Sequence, residues 1–357
     1  MPRKPWRIGL VGVGRGSSYG NLFASDPACE VVACCDADEA ALARFQKELE
    51  LPDDQCFLDY ERFIDLDMDA VFIGTPIPLH AAQCVAALDA GVHVLSEVTA
   101  ASTVEECGRI VDAVRRTGRT YMLAENCVYW PFVRTWTTLV ESGRLGEIFY
   151  AECEYLHPIP ELIVDPKTGA DKWRINRAPL HYCSHSLGPI LVMTGDRITH
   201  AMGLGEGHRL LPEAPVGGID IQVALFRTQK NGIIKLLRTS VAPRGSALHF
   251  YCLQGTKGCV ESDRRRIGGS GQLYVAGEMT EAQDFECPLV DPNAPKEAAA
   301  GGHGHAEYGV VQAFLRALET GKKPLLDVDY AMDICLPGLI AHDSAMRGGV
   351  WLEVPSL

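Results

Sequence analysis

Two groups of residues in this 357-residue chain have types and spacings that could do chemistry. Tyr182 and His185 stand three positions apart, so on a helix they would share one face. Histidine is the side chain whose ordinary pKa suits proton transfer near neutrality, and a phenol beside it can hold or pass on a proton. His181, four positions before His185, and the pair His303 and His305 could also be read as metal ligands. No acidic or cysteine partner completes such a set at a recognisable spacing, so no metal is expected.

The second group is Gly12-Val13-Gly14-Arg15-Gly16-Ser17. An apolar, strand-length run over residues 7–13 leads straight into it. Glycines at such a junction let the backbone turn tightly and approach a pyrophosphate, whose charge then sits at the N-terminus of the next helix. The third glycine arrives one residue early for G-x-G-x-x-G, and a tight strand–helix turn with no ligand would look the same. Asp36 raises the odds. It lies twenty residues past Gly16, at the end of a second strand, where a carboxylate accepts the adenosine ribose hydroxyls and repels a 2′-phosphate. No arginine directly follows it, so NAD is expected rather than NADP.

The elements that would position these groups alternate. Strands are expected over residues 7–13, 31–36, 70–75, 93–96 and 120–124. Helical spacing of apolar residues falls at 38–49, 79–90 and 103–117. Thr103 and Glu106 fit a capping box, and Gly91 and Gly118 sit where helices should stop. This predicts an α/β protein whose N-terminal domain, residues 1–124, is a Rossmann domain with a doubly wound parallel sheet. Residues 125–357 then form a second α/β domain. A helix is expected over 132–142 and strands over 148–155, 219–226, 233–239, 248–253 and 258–261, giving an open, mostly antiparallel sheet that could support a homo-oligomer. Residues 264–305 are rich in Gly, Pro and acids and should be largely loop; helices at 308–319 and 329–347 close the chain. The site should lie outside the carboxyl ends of the parallel strands, in the cleft between the domains.

The composition is that of a globular protein, 47% hydrophobic and 22% charged. A formal charge of −13 argues against nucleic acid or an anionic membrane surface as the main partner. Nothing reaches membrane-span length, and the start of the chain is not patterned as a signal peptide. The thirteen cysteines include no Cys-x-x-Cys pair and read as reduced, mostly buried residues of a cytoplasmic protein.

Two longer motifs, Thr75-Pro76-Ile77-Pro78-Leu79-His80 and Ala90-Gly91-Val92-His93-Val94-Leu95-Ser96-Glu97, resemble the signature of the glucose–fructose oxidoreductase/inositol dehydrogenase/MocA (Gfo/Idh/MocA) family. The resemblance puts Thr75, Pro76 and His80 on the cofactor side, with the Thr-Pro turn beside the nicotinamide ribose. In that family the second motif continues into a lysine that assists hydride transfer; here the position is Val98. The dehydrogenases also carry an Asp four residues before the catalytic His, whereas this chain has His181 there. A narrower group is more similar: Glu97-Val98, Ala124-Glu125-Asn126 with Tyr129, Lys172-Trp173-Arg174, Tyr182-x-x-His185-Ser186-Leu187-Gly188-Pro189, and Gly302-His303-Gly304-His305-Ala306-Glu307-Tyr308 resemble the NAD-dependent glycoside hydrolases of family 109, the α-N-acetylgalactosaminidase type. That group also lacks the lysine.

The resemblance implies that Glu97 and Asn126 touch the cofactor. It implies that Tyr182, His185 and Tyr129 work on a sugar, with His181 and Tyr308 also on the substrate side. The loop from Trp173 to Tyr182 is shorter than in the type enzymes, and His305 replaces a usual glycine. Lys172, Trp173 and Arg174 read equally as a solvated loop or as a sugar-stacking, hydroxyl-binding group; the basic cluster could also accept an anionic sugar substituent. The expected activity is glycoside hydrolysis through transient oxidation at C3, elimination, water addition and re-reduction, with NAD recycled. The alternatives are a sugar or cyclitol dehydrogenase with net oxidation, and a non-catalytic NAD-binding regulator. A small-molecule sugar or glycoside is the expected partner.

Overall fold

The computed structural model describes residues 4–265 and 269–357; residues 1–3, within the basic start of the chain, and 266–268 of the expected loop lie outside the described residues. The chain forms two units. The first comprises residues 1–126, 292–332 and 357, and the second 127–291 and 333–356. Residues 292–332 return to the first unit, a segment that the sequence reading assigned to the second domain. Distant return segments leave no local sequence signal.

In the first unit, strands β1 (Trp6–Val11), β2 (Cys29–Cys35), β3 (Cys56–Phe57), β4 (Ala70–Ile73), β5 (His93–Ser96) and β6 (Tyr121–Leu123) form a parallel sheet in the order β3-β2-β1-β4-β5-β6. All four residues of β4 are buried, the pattern of a strand covered on both faces. The connecting helices are α1 (Val13–Ser25), α2 (Glu39–Leu49), α3 (Tyr60–Ile64), α4 (Ile77–Asp89) and α5 (Val104–Thr117). Their ends are specified locally. The Asp38 carboxylate accepts the Ala40 and Ala41 amides at the start of α2. Thr103 Oγ1 accepts the Glu106 amide while the Glu106 carboxylate reaches back to the Ser102 amide, one residue earlier than the expected box. Gly118 closes α5 in the left-handed region, φ 66°. The strand order reverses at β1/β4, the switch point at which open α/β sheets bind ligands.

The second unit holds α6 (Pro131–Glu141), β7 (Ile148–Leu156), α7 (Ser184–Thr194), β8 (Ile198–Glu206), β9 (Ile221–Thr228), β10 (Ile233–Thr239), β11 (Leu248–Gly255), β12 (Gly258–Ser262), β13 (Gly271–Val275) and β14 (Gln283–Phe285). α8 (Ala306–Thr320) belongs to the first unit, where it packs on α1. The end of α9 (Val328–Met346) and β15 (Leu352–Glu353) complete the second. Its nine strands run β14-β13-β12-β11-β7-β10-β9-β8-β15. Every neighbour pair is antiparallel except β7/β10, so the expected mostly antiparallel sheet is found. Two strands, β13 and β14, lie inside the stretch expected to be loop. Nine of the thirteen cysteines are buried, and no helix among the described residues is long and apolar enough to cross a membrane.

Candidate active site

The glycine loop is built as a cradle. Gly12, φ 81°, caps α1 in the left-handed region, and a Cβ there would lie 2.4 Å from the Gly74 backbone. A Cβ on exposed Gly14 would meet nothing within 4 Å, so the backbone is open to a ligand at that point. Gly12 offers no side chain to cap the first turn of α1 and no acidic residue sits in that turn, so apart from the Gly14 amide beside Asp36 its amides and dipole are left for an anion. Ser17 lies half-buried on the same turn. Asp36, just past β2, accepts the Asp38 amide through Oδ1 (2.9 Å) and lies 3.4 Å from the Gly14 amide through Oδ2. Its carboxylate is therefore held beside the loop. These residues fit the pyrophosphate and adenosine ribose of NAD.

Arg15 extends from this loop to two carboxylates of the same unit. Its Nη2 lies 2.8 Å from Glu97 Oε1 and 2.8 Å from Glu307 Oε1. Glu307, at the start of α8 and fully buried, also takes His303 Nδ1 (2.9 Å) and the Gly302 amide (2.8 Å). Burial alone would raise its pKa. The His303 hydrogen bond, Arg15 and the Gly302 amide outweigh it and hold the carboxyl well below the usual range. Glu97 follows β5, with its Oε2 taking the Val98 amide at 3.0 Å.

Thr75 and Pro76 form the turn before α4, where Thr75 Oγ1 donates to Gln83. His80 was expected on the cofactor, but it is fully buried, its ring nitrogens 2.7 Å from the Thr75 carbonyl and 2.8 Å from the Thr99 carbonyl. Burial pushes its pKa down. It clamps the Thr75-Pro76 turn and has no ring nitrogen left for a ligand. Asn126 is buried at the end of the segment after β6.

In the second unit, strand register assembles a separate group of polar and aromatic residues. Tyr155 on β7 pairs with His249 on β11 and with Arg238 on β10. Three adjacent strands therefore present a row in which His249 stacks on Tyr155 (centroids 4.1 Å, 25°) and the Arg238 guanidinium lies 4.3 Å from the Tyr155 centroid. The first turn of α7 sets His185 against this row, 5.5 Å from Tyr155 and edge-on. The His185 carbonyl accepts the Tyr251 hydroxyl at 2.6 Å. Tyr182 Oη and His185 Nε2 are 3.2 Å apart, with rings nearly perpendicular.

The pair is thus brought together, but not by sharing a helical face. Tyr182 precedes α7, at the end of a 3₁₀ turn over Pro179–His181, in a non-helical conformation (φ −116°, ψ 65°). That segment is pinned from behind. Gln222 accepts the Leu180 amide at 3.0 Å and bonds His342 at 3.1 Å, while the His181 ring packs edge-on against His342 at 4.5 Å. Burial, with His342 and Arg177 nearby, drives His181 to about 3, so it is neutral throughout the physiological range.

The remaining expected residues separate. Lys172 is held by Asp165 (3.1 Å) and the Glu161 carbonyl (2.8 Å), so its charge fastens its own loop. Trp173 and Arg174 do come together, the guanidinium 4.2 Å from the indole centroid, both half-buried. Tyr129, in the second unit, has a buried hydroxyl with no partner among the described residues, and burial pushes its pKa up. Tyr308 lies on the first turn of α8 in the first unit. Sequence reasoning missed Tyr155, His249, Arg177 and Arg238. The signal for Arg238 was present: it is a charged residue in the apolar phase of Ile233–Thr239, on the face of Ile234 and Leu236.

Comparison with known proteins agrees with this geometry. Residues 6–125 match the Gfo/Idh/MocA family, described as an oxidoreductase family with an NAD-binding Rossmann fold. A "glycosyl hydrolase family 109 protein" of Shewanella baltica (strain OS155) is 28% identical over 355 aligned positions, covering 88% of this chain and 77% of the relative. Among solved structures, an oxidoreductase domain protein from Kribbella flavida superposes with a TM-score of 0.85 at 21% identity, covering 99% of this chain and 100% of the other. Levoglucosan dehydrogenase in complex with NADH and L-sorbose gives 0.85 at 20% identity over the same shares.

Proposed function

We propose that this chain, whose residues 6–125 belong to the Gfo/Idh/MocA oxidoreductase family with its NAD-binding Rossmann fold, hydrolyses a glycoside and recycles its NAD. The observation that carries the reading is the Tyr182–His185 hydrogen bond, 3.2 Å, seated on an ordered aromatic row. It is supported by Val98 in place of a lysine that plain dehydrogenases of the family carry, and by relatives named for glycoside hydrolysis.

Gly12, Gly14, Arg15, Gly16, Ser17 and Asp36 would hold the dinucleotide, with Thr75, Pro76, Glu97 and Asn126 on its nicotinamide side. Bound NAD supplies reversible oxidation of the sugar at C3 and is unchanged after a full turnover. A C3 ketone acidifies the neighbouring C2–H, so a base as modest as imidazole can remove it. His185 takes that proton, with Tyr182 hydrogen-bonded to it to share the charge. The C1 substituent leaves with its bonding electrons as the C1–C2 double bond forms. Water then adds across that bond, oxygen to C1 and a proton to C2.

Turnover of nitrophenyl glycosides in heavy water tests this. Deuterium is expected at C2 of the released sugar while C3 keeps its original hydrogen, and His185→Ala is expected to slow turnover by roughly 10²–10⁴-fold. Hydrolysed sugar unlabelled at C2 would refute elimination. A keto-sugar accumulating with one equivalent of free NADH would assign the chain to the dehydrogenases.

A further inference from the structure

Two guanidinium groups lie against the Tyr182 ring. Arg177 lies 4.7 Å from its centroid and Arg238 lies 5.9 Å from it; Arg174 comes three residues before Arg177. Arg238 is satisfied by the protein, donating to the carbonyls of Tyr155, Tyr182 and Thr239. Arg177 is not. Its Nη2 reaches Ser240 Oγ, at 3.3 Å, and its Nε is buried with no hydrogen-bond partner among the described residues, while the residue as a whole is 7% exposed.

Three acidic side chains of the same unit are engaged elsewhere: Glu154 by Arg264, Asp220 by Arg209 and Asp165 by Lys172. No ion pair joins Arg174, Arg177 or Arg238 to a carboxylate among the described residues. Burial, then repulsion from Arg238, lowers Arg177 to about 9, so it remains cationic at neutral pH. Cations are kept in such surroundings when something supplies the missing counter-charge. Here no ion pair among the described residues supplies it.

We propose that the sugar accepted here carries an anionic substituent, a carboxylate or a sulfate ester, seated on the unpartnered Nε edge of Arg177 with half-exposed Arg174 at its flank. The assignment rests on the glycoside reading for its sugar and on Arg177 for its charge. A guanidinium edge offers two parallel N–H donors to two oxygens of one anion, a geometry that lysine cannot match. The cationic group inferred from sequence is thereby relocated. Lys172 drops out and Arg177, buried beside the proposed acid/base, takes its place.

Calorimetric titration of the protein as purified, with NAD added, tests the proposal without requiring turnover. The probes are the methyl glycosides of glucose, galactose and mannose, each with its hexuronate, the hexuronate methyl ester and the 6-sulfate. In at least one stereochemical set, the hexuronate or the sulfate should bind ten-fold or more tightly than the neutral sugar and the ester. Which of the two prevails identifies the anion. Arg177→Gln should bring the anionic-to-neutral ratio close to one; Arg177→Lys, which keeps the charge and spares the fold, should lose most of it.

Equal affinities for anionic and neutral members in all three sets, or a preference that survives Arg177→Lys unchanged, would overturn the proposal. Preferential binding of an anionic sugar that is never hydrolysed or exchanged at C2 would sink the hydrolase reading and leave this one standing.

Discussion

Asp36 shows how much a single side chain can decide. Its carboxylate is fixed by the Asp38 amide and lies beside the Gly14 amide, so a negative charge is held where the adenosine ribose of a dinucleotide would approach the loop. Ribose hydroxyls can donate to it; a 2′-phosphate would face charge against charge. NAD should therefore bind much more tightly than NADP, and Asp36→Ala should narrow the gap, mainly by improving NADP. Calorimetry showing equal affinities in the unmodified protein would exclude this account. Asp36 could be read from the sequence because strand end and glycine loop are neighbours in the chain. Lys172 could not be, because its partner Asp165 is fixed by a loop whose path the sequence does not display. His80 is a similar case: the motif points to it, yet both ring nitrogens face carbonyls of the fold.

At the scale of elements, periodicity located β5 and β10 to the residue and most other strands and helices within two or three, since each buries a face with a regular repeat. It missed β8, whose glycines break the alternation: a Cβ on Gly203 would lie 2.1 Å from the Ala341 carbonyl oxygen of α9. It also missed the short strands β13, β14 and β15, the last two of which are the edges of their sheet. Nor could it supply the register that puts His249, Tyr155 and Arg238 in one row, because pairing between β11, β7 and β10 joins residues about a hundred positions apart.

The turn bearing Tyr182 depends on a similarly distant contact. A Cβ on Gly338 of α9 would lie 2.3 Å from both Cys183 Sγ and the Leu180 carbonyl, and the Cys183 thiol donates to the Ile334 carbonyl at 3.5 Å. Gly338→Ala must push residues 180–183 off the helix. Overpacking of this kind costs about 1–3 kcal/mol, so the melting temperature should fall. Tyr182 moves with the displaced turn, so kcat should fall as well in the protein that remains folded. A variant with lowered stability and unchanged kcat would show that Tyr182 does not depend on this contact.

Considered as a whole, the chain leaves its first unit after residue 126 and re-enters it over residues 292–332. That return brings α8 against α1 and Glu307 to Arg15 of the glycine loop. The loop thus carries a half-buried ionic contact contributed by a segment almost three hundred residues away. The sign of its pH dependence follows from the depressed pKa of Glu307. A carboxyl held below its unfolded value of about 4.3 contributes stability that is fully present above that pH and is lost as the pH falls through the folded value. The contact therefore holds across the neutral range and fails only in strong acid. A loop anchored in this way suits a cofactor that is regenerated within each turnover and has no need to leave. NAD or NADH should accordingly co-purify with the protein and stay bound through gel filtration from about pH 6 to 8. Denaturing the purified protein and assaying the supernatant by enzymatic cycling measures this directly. One nucleotide per chain is the expected result, whereas an empty supernatant from fully folded protein would favour a dehydrogenase that exchanges its cofactor at every turnover.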